Sequence, residues 1–230
     1  MRIGVIGPSE NEINPFIDSM HELKTEKYAM LNFHTGKYSN IDAAALFCGV
    51  CKVNAAIAAQ ILIDKFAVTH IIVTGVAGAI DKNLKVFDTV ISSEVAYHDV
   101  EEGILINYHP WMESVYFKAD NNMLKDIIRA VNQNKNVLIG RMVTGEGFIV
   151  QDGRNEIIEK YNPLCVDMET AGIAHVCYAN SIPFIAIRTI SDTPEESGSD
   201  AFEKNCETAA RKSINVLKCY LDNLKENKNI

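Results

Sequence analysis

The 230-residue chain has no run of lysine or arginine, and nearly all of its cations stand singly, as at Arg2, Lys52 and Arg154. The 22 Lys+Arg residues are outnumbered by 30 Asp+Glu residues, which gives a formal net charge of −8. Proteins that bind nucleic acid normally present a clustered basic face, so the sequence predicts no nucleic-acid partner. No apolar stretch approaches the roughly 20 residues that span a bilayer, so we expect no membrane partner either.

A secretory leader and a cysteine framework are also missing. The N-terminal stretch MRIGVIGPSENE lacks the basic region, apolar run and small-residue cleavage site of a signal peptide. The six cysteines fall within apolar segments, at positions 48, 51, 165, 177, 206 and 219. Reduced thiols of this kind are typical of proteins in a reducing compartment. We therefore expect a cytoplasmic protein.

What the chain does contain is an ordinary globular composition, with 47% hydrophobic and 23% charged residues. Such a composition can bury a substantial core, whereas a disordered chain is poorer in Val, Ile and Leu. No repeat, low-complexity linker or break in composition divides the sequence. The length and this uniformity predict a single domain over residues 1–230.

Apolar runs alternate with amphipathic stretches along the chain. Arg2–Gly7 and His70–Thr74 are apolar, β-branched runs typical of buried strands, and Lys52–Phe66 has apolar residues at helical spacing. This alternation predicts an α/β fold in three layers, α/β/α, with a central mixed, mostly parallel twisted sheet. The patterns also predict strands at Tyr28–His34, Ile41–Cys48, Val86–Tyr97, Val137–Val143 and Pro183–Ser191, and helices at Asp120–Asn132, Met168–Asn180 and Asp200–Lys225.

The least regular segment is Val100–Lys118, which holds the single tryptophan and several other aromatic residues. Long irregular segments in compact proteins are usually functional. We expect this segment to cover a site or to contact another subunit.

Cys48-Gly49-Val50-Cys51 has the spacing of a thiol redox pair or of half a zinc site. A zinc site needs a second pair of ligands, and Cys165 and Cys177 do not have that spacing. The aromatic and proline residues typical of redox motifs are missing around the pair. We interpret the two cysteines as buried small residues and keep redox chemistry as an alternative.

Glu12 admits two interpretations. Ser9-Glu10-Asn11-Glu12 fits a capping box, in which the glutamate serves only to cap a helix. Pro15 would then lie inside that helix, at a cost of roughly 3 kcal/mol. A helix that starts with Asn14 as its cap and Pro15 as its first residue avoids this cost. This second interpretation leaves Glu12 in a loop at the end of the first strand, where functional sites gather in α/β proteins.

Two further groups of acids lie where a strand meets a helix. Asp167 and Glu169 open a predicted helix, where carboxylates commonly complement the helix dipole. Asp192 ends a buried strand ahead of Pro194, where an aspartate is commonly a turn or cap residue. Taken singly, each of these acids has a structural explanation. Together with Glu12, they place acids at three junctions that can converge at one edge of the sheet.

These residues lie within blocks that together resemble the 5′-methylthioadenosine/S-adenosylhomocysteine nucleosidases, members of the purine nucleoside phosphorylase superfamily. The blocks extend over nearly the whole chain and read MRIGVIGPSENEI, GVCKVNAA, TGVAGAI, DTVISSEVAYHD, GEGFI, VDMETAGIAHVC and IRTISD, closing with Phe202. VDMETAGIAHVC and IRTISD are the most specific of them. The resemblance implies the nucleoside phosphorylase-like form of the three-layer fold.

The resemblance also implies roles for individual residues. Asp192 would be the general acid that protonates adenine N7, and Glu12 would be the general base that activates water, positioned with help from Arg188. Glu169 would hold the ribose hydroxyls. The other substrate-binding residues would contact the ribose, the adenine or the 5′ substituent; they are Val50, Val76, Phe148, Ile149, Met168, Ser191 and Phe202.

The implied chemistry is consistent with these residue types. Breaking an N-glycosidic bond leaves positive, oxocarbenium-like character on the ribose, which a nearby carboxylate stabilises more in the transition state than in the ground state. Adenine leaves readily only when N7 is protonated, which requires an acid with a raised pKa. No metal or redox cofactor is implied. The expected partners are a small-molecule adenine nucleoside and a second subunit in a homodimer.

Two departures from the family pattern leave alternatives open. Val76 stands where relatives usually have a serine that helps to hold the attacking water, and valine offers no hydrogen bond there. The 100–118 segment, which in the family contributes to the dimer interface and to the partner's pocket, matches poorly. The alternatives are a phosphorylase or hydrolase of another purine nucleoside, such as a futalosine derivative, and a nucleoside-binding protein with weak catalysis.

Overall fold

A computed structural model of the chain describes residues 1–109, 112–131, 134–149, 153–195 and 199–228. Their centre is one mixed sheet with helices on both faces. The strands are β1 Arg2–Gly7, β2 His21–Tyr28, β3 Leu31–Tyr38, β4 Ile41–Phe47, β5 His70–Ala79, β6 Thr89–Tyr97, β7 Phe117–Lys118, β8 Val137–Thr144, β9 Cys165–Asp167 and β10 Phe184–Asp192. The helices are α1 Glu10–Ile17, α2 Lys52–Phe66, α3 Ile104–Asn107, α4 Asn121–Ala130, α5 Arg154–Tyr161, α6 Thr170–Ala179 and α7 Ser199–Lys228.

Alternate residues of the central strands point to opposite faces of the sheet, and each face carries its own hydrophobic core. In β5, Ile71 and Val73 join the core under α2 and α6, whereas Ile72 joins the core under α1, α4 and α7. Both faces of β5 and β10 are buried, which explains why apolar and polar residues do not alternate along these strands. The three-layer α/β/α prediction with a mixed sheet is confirmed.

Part of the sheet closes on itself. β5 pairs with β10, β10 with β6, β6 with β8, β8 with β9, and β9 returns to β5. From β5 the sheet continues through β1 and β4 to the hairpin of β3 and β2. The closed ring was not predicted, because β9 is only three residues long and follows a helix, α5, that the sequence did not indicate.

The prediction for the first helix is wrong. The helix begins at Glu10, with Ser9 in the N-cap position, so that Glu12 lies in its first turn and Pro15 lies inside it. Pro15 has no N–H for the helical hydrogen bond to the Asn11 carbonyl. Ile13, Phe16 and Ile17 are all buried beneath the helix. Each such side chain contributes about 1.5–3 kcal/mol on burial, which outweighs the proline cost.

The other elements agree with the predictions to different degrees. The helix over Lys52–Phe66 is confirmed as α2. The predicted strand Tyr28–His34 is wrong because it crosses a turn, where Ala29 and Met30 have φ angles of 45° and 67° between β2 and β3. β2 was missed because its residues are nearly all exposed and so carry no apolar pattern. None of the helices within the described ranges combines the length and apolarity needed to cross a bilayer.

The arrangement of the strands brings the acidic junctions together. β1, β4, β5 and β10 run parallel, so that their carboxyl ends meet at the same edge of the sheet. α1 follows β1, α2 follows β4, and α7 follows β10 at this edge. Glu12 and Asp192 are therefore neighbours in space, as predicted from their junctions, and the segment before α2 lies beside them.

Candidate active site

A cavity of about 530 Å³ opens at this edge of the sheet. Its volume falls within the range of sites for small organic ligands. Ten of the eleven predicted site residues line it; they are Glu12, Val50, Val76, Phe148, Ile149, Met168, Glu169, Ser191, Asp192 and Phe202. The structure thus brings them together, while the role of each in catalysis or binding remains a prediction.

Arg188 is the predicted residue that does not reach the cavity wall. It lies in β10, is fully buried, and sits behind the acids that do line the cavity. Its Nη2 atom is 2.9 Å from Asp167 Oδ2 and 3.2 Å from Glu169 Oε2, and its Nη1 atom is 3.8 Å from Glu12 Oε1. Any effect of Arg188 on a ligand therefore passes through these carboxylates.

The group formed by Arg188, Glu12, Asp167 and Glu169, here called the Arg188 cluster, contains three acids for one base. Burial raises the pKa values of Glu12 and Glu169, although the Arg188 charge opposes the rise. Burial alone would lower the pKa of Arg188, but the three carboxylates raise it above its ordinary value. The guanidinium stays charged, and the two glutamates hold protons at higher pH than exposed glutamates do.

Glu12 is held at both carboxylate oxygens. Oε1 accepts a hydrogen bond of 2.8 Å from the backbone N–H of Val76, and Oε2 accepts one of 2.6 Å from the Ser9 hydroxyl. The Ser9 side chain therefore bonds the glutamate side chain rather than the helix backbone. This fixes the carboxylate against the cavity, where Glu12 is only 4% exposed.

Gly75 makes the approach of Glu12 to Arg188 possible. Its φ of +147° is rare for residues with a side chain, and a Cβ atom there would lie 2.4 Å from Glu12 Oε1 and 2.6 Å from Arg188 Nη1. The Gly75 N–H donates to the buried hydroxyl of Ser213 on α7. Gly75 is therefore required by the space between the two charged groups.

Glu169 and Asp167 both lie just before α6, but their carboxylates have different hydrogen-bond partners. Glu169 Oε1 accepts from the backbone N–H of Cys51 at 3.0 Å, which leaves the side chain on the cavity wall. Asp167 Oδ1 accepts from the backbone N–H of Thr170 and from the Thr144 hydroxyl. The predicted dipole role therefore fits Asp167, whose carboxylate accepts from backbone N–H groups at the start of α6, although the N-cap residue of that helix is Glu169.

Asp192 lies apart from the Arg188 cluster and is 2% exposed. The pairing of β10 with β5 slips between Ile190 and Asp192, so that Ser191 is the extra residue of a β-bulge. Burial raises the pKa of Asp192, while the Ser191 hydroxyl, 2.7 Å away, and the charge of Arg154 lower it. Gly78 leaves room for the carboxylate, because a Cβ atom there would lie 3.0 Å from Oδ2.

Apolar side chains form the rest of the cavity wall. The rings of Phe148 and Phe202 are nearly perpendicular, at 85°, with centroids 6.3 Å apart. Met168 and Ile149 also line the cavity, and Val50 stands at its mouth, 48% exposed. The cavity can therefore hold a flat ring and a thioether beside several carboxylates.

The cysteine pair does not have the properties of a redox site. All six cysteines are free, and Cys48 is buried. Burial raises the pKa of the Cys48 thiol, and a hydrogen bond to Glu146 raises the pKa of Cys51 to about 11. Reactive thiols need lowered pKa values, so these values argue against redox chemistry. In the described part of the chain no three His, Cys, Asp or Glu side chains form a group suited to a metal ion.

The 100–118 segment contributes no described residue to the cavity. Trp111, on which part of the prediction depended, lies outside the described residues. The segment instead exposes Ile104, Ile106 and Tyr108 to solvent.

Sequence reasoning missed several residues that line or support the cavity. Ser9, Gly78 and Cys206 line it, and Asn205 hydrogen-bonds the bulge before Asp192, whereas Asp167, which also lines it, was noted only as a junction acid. Ser9 was identified only as a possible cap, since a short motif does not reveal which group its hydroxyl bonds. Cys206 and Asn205 could have been found from their helical spacing after Phe202, which places them on the same face of α7.

Comparison with known proteins adds to this geometry. The sequence profile described as the phosphorylase superfamily matches residues 2–222. A curated protein of Maridesulfovibrio salexigens, named 5′-methylthioadenosine/S-adenosylhomocysteine nucleosidase, is 36% identical over 97% of this chain and 100% of its own length. Many further curated proteins match significantly.

Two solved structures share the fold closely. The nucleosidase of the same name from Colwellia psychrerythraea, in complex with adenine, superposes with a TM-score of 0.88 at 31% identity, covering 97% of this chain and 96% of that one. The futalosine hydrolase of Helicobacter pylori superposes with a TM-score of 0.87 at 25% identity, covering 96% and 97%. Both named activities are hydrolytic.

Replacing Gly75 by alanine tests whether the Arg188 cluster depends on this backbone. We expect Gly75→Ala to lower the free energy of unfolding by about 2–4 kcal/mol, because it combines an unfavourable φ with two close contacts to charged groups. Urea denaturation measures the change. Gly147→Ala is the matched control, since a Cβ atom at Gly147 meets nothing within 4 Å. Equal losses in the two variants would contradict the packing argument.

Proposed function

The chain belongs to the 5′-methylthioadenosine/S-adenosylhomocysteine nucleosidase family of the phosphorylase superfamily, and from that premise we propose that it hydrolyses the N-glycosidic bond of 5′-thio-substituted adenosines. The products are adenine and a 5-thioribose. The observation that carries the proposal is the placement of three buried carboxylates, Glu12, Glu169 and Asp192, around one largely apolar cavity. An aromatic base fits the apolar wall, and a ribose fits beside the carboxylates.

Asp192 acts as the general acid. Its proton goes to adenine N7 as the glycosidic bond breaks, so that the base leaves as a neutral species. The raised pKa of Asp192, caused by its burial, supports this role because the carboxyl must carry a proton near neutral pH. Phe148 and Phe202 form the apolar wall for the base and the 5′ substituent, and Ile149 and Ser191 lie where the polar edge of the base can be bound.

Glu169 and Met168 bind the ribose. Glu169 is fixed by the Cys51 N–H and by Arg188, so its position does not depend on the ligand. A fixed carboxylate can accept hydrogen bonds from the ribose hydroxyls and stabilise the positive charge that develops on the sugar. Met168 supplies an apolar surface for the sugar ring, and Val50 lies where a thioether substituent would leave the cavity.

Glu12 acts as the general base that takes a proton from the attacking water. One of its oxygens already accepts from the Val76 N–H and the other from Ser9, so the carboxylate is oriented before a ligand arrives. Val76 contributes its backbone to this arrangement, whereas its side chain packs against Ala209 and Ala210. Arg188 lies behind Glu12 and acts as a positioning residue that limits the rise in the pKa of that base.

Hydrolysis is favoured over phosphorolysis by the charge of the cavity wall. The described residues that line the cavity include no lysine, arginine or histidine. A phosphate nucleophile needs cationic or strong hydrogen-bond donors, and the buried Arg188 is already engaged by carboxylates. Water requires only a base. The cavity therefore fits a neutral nucleoside and a water molecule.

We expect the purified protein to release adenine from methylthioadenosine or S-adenosylhomocysteine in phosphate-free buffer. Chromatography of the base and of the sugar measures the reaction, and added phosphate should leave the rate and the free thioribose unchanged. A phosphorylated sugar would identify a phosphorylase. Faster turnover of futalosine would favour that substrate class, and tight binding of a nucleoside analogue without turnover of any substrate would favour a binding protein.

Asp192→Asn should lower kcat by about 100- to 10,000-fold, because the amide cannot donate the acidic proton. In the wild type, kcat should fall as pH rises through the pKa of Asp192, since the acid is active only when protonated. Because folding raises this pKa, the group begins to destabilise the fold as pH rises above its unfolded value of 3.8, and the full loss is reached above the folded pKa. The variant should therefore be at least as stable as the wild type at pH 7, as measured by its Tm.

Asp42→Asn is the matched control for this variant, since Asp42 is an exposed residue of β4. Its activity and pH profile should match those of the wild type. Near-normal turnover by Asp192→Asn would refute the acid role.

We also propose that the protein is a homodimer, active in the cytoplasm in methionine salvage. Support for the dimer comes from apolar side chains left in solvent; Val53 and Ile57 of α2 are 67% and 42% exposed, and Tyr108 after α3 is 68% exposed. Exposed apolar clusters of this kind are typical of subunit contacts. The six free cysteines are compatible with a reducing compartment.

The double variant Val53→Glu with Ile57→Glu should convert a dimer into a monomer, because two buried charges per subunit would oppose association. Light scattering coupled to size-exclusion chromatography measures the mass. Ile128→Glu, at a 43% exposed position on α4, is the control and should leave the dimer intact. A wild-type protein that elutes as a monomer at micromolar concentration would contradict the proposal.

A further inference from the structure

The general acid follows an irregular point in the pairing of β10 with β5. Up to Ile190, each residue of β10 lies opposite one residue of β5; Ile190 faces Ala77, but Asp192 faces Gly78, which immediately follows Ala77. Ser191 is thus the extra residue of a bulge. Bulges turn the following side chain and free backbone groups from the ladder, and they are common beside active sites.

The backbone carbonyl freed at Ser191 is bonded from another element. Asn205 of α7 donates a hydrogen bond of 2.9 Å from its Nδ2 atom to the Ser191 oxygen, and both residues are buried. The neighbours of Asn205 on this face of α7 are mainly apolar, among them Phe202 and Ala209. A carboxamide in such surroundings needs a specific partner, and the bulge is that partner.

We propose that Asn205 is a positioning residue for the general acid, which holds the Ser191 bulge in the form that directs the Asp192 carboxyl into the cavity. The inference rests on the proposed function of Asp192. Asn205 itself does not line the cavity, so it acts through the backbone of β10 rather than on the ligand.

The bulge needs this support because the space around Asp192 is narrow. Asp192 Oδ2 lies close enough to Gly78 that even a methyl group there would be at 3.0 Å. The Ser191 hydroxyl bonds Asp192 Oδ1 at 2.7 Å, so a shift in Ser191 moves the acid as well. A misplacement of about 1 Å at a catalytic group can cost on the order of 100-fold in rate.

Asn205→Leu removes the donor and keeps a side chain of similar size. We expect kcat for methylthioadenosine to fall by about 10- to 100-fold with KM changed less than about threefold, since the acid is displaced while the walls of the cavity remain. Asn215→Leu is the matched control, because Asn215 is an exposed residue of the same helix. The control should keep wild-type kcat and KM.

Asn205→Asp supplies a second test that does not depend on how well the leucine variant folds. An ionised carboxylate cannot donate to the Ser191 carbonyl, whereas a protonated one can. The ratio of variant to wild-type kcat should therefore rise as pH falls. The described ionisable groups around this point include Asp192 on β10, Cys206 and Glu207 on α7, Glu12 on α1, Arg154 on α5, and Glu195 after β10. All are shared with the wild type, so the ratio isolates the new carboxyl, and Asn215→Asp should give a flat ratio.

The outcomes separate this inference from the function on which it rests. A wild type that releases no adenine from any tested nucleoside would overturn both. An active wild type with Asn205→Leu within twofold of its kcat would overturn only the role of Asn205. A flat ratio for Asn205→Asp would do the same, because a residue that merely fills space would not respond to protonation. A fall in kcat with little change in KM and a pH-dependent ratio would support the inference.

Discussion

One buried cation organises the catalytic side of this protein. Arg188 reaches carboxylates that arrive from separate parts of the chain, with Glu12 on α1, Asp167 at the end of β9 and Glu169 at the start of α6. A guanidinium is stable in the interior only when acids surround it, and acids are stable there only with a cation or with hydrogen bonds. The burial of each charged group therefore depends on the correct placement of the elements that carry the others. Gly75 leaves the space in which Glu12 approaches Arg188.

Asp192 does not belong to the Arg188 cluster, and it therefore has different surroundings from Glu12 and Glu169. Glu12 and Glu169 are tied to a cation and to backbone N–H groups, which suits groups that accept protons or hydrogen bonds. Burial raises the pKa of Asp192, which accepts from the Ser191 hydroxyl and lies near the charge of Arg154. The carboxylates that line one cavity thus have two different environments, which suit the different roles proposed for them. Because the cationic group is withdrawn behind the wall, the cavity is suited to a neutral ligand.

The sequence predicted a helix or strand well where a single hydrophobic periodicity determines that element. Lys52–Phe66 was predicted with its final bounds from apolar residues at helical spacing, although two of those residues, Val53 and Ile57, proved to be exposed. β2 could not be predicted because an exposed edge strand buries little, and the start of α1 was wrong because burial of Phe16 outweighs a proline penalty. Of the ten cavity residues, Glu12, Glu169 and Asp192 were also singled out by their positions at strand–helix junctions, whereas the other seven came only from the resemblance. The depth of Arg188 and the bond from Asn205 to Ser191 depend on how distant elements pack, which no local pattern encodes.

The closed ring of β5, β10, β6, β8 and β9 limits how this protein can be redesigned. A strand in a closed sheet has neighbours on both sides, so displacing one strand changes the register of the whole ring. Residues that project from the ring, such as Ser191 and Asp192, are consequently poor targets for altering ligand size. Val50 and Phe202 stand on segments outside the ring. To enlarge the cavity for a bulkier 5′ substituent, Val50 and Phe202 should therefore be varied, while Ser191 and Asp192 are kept.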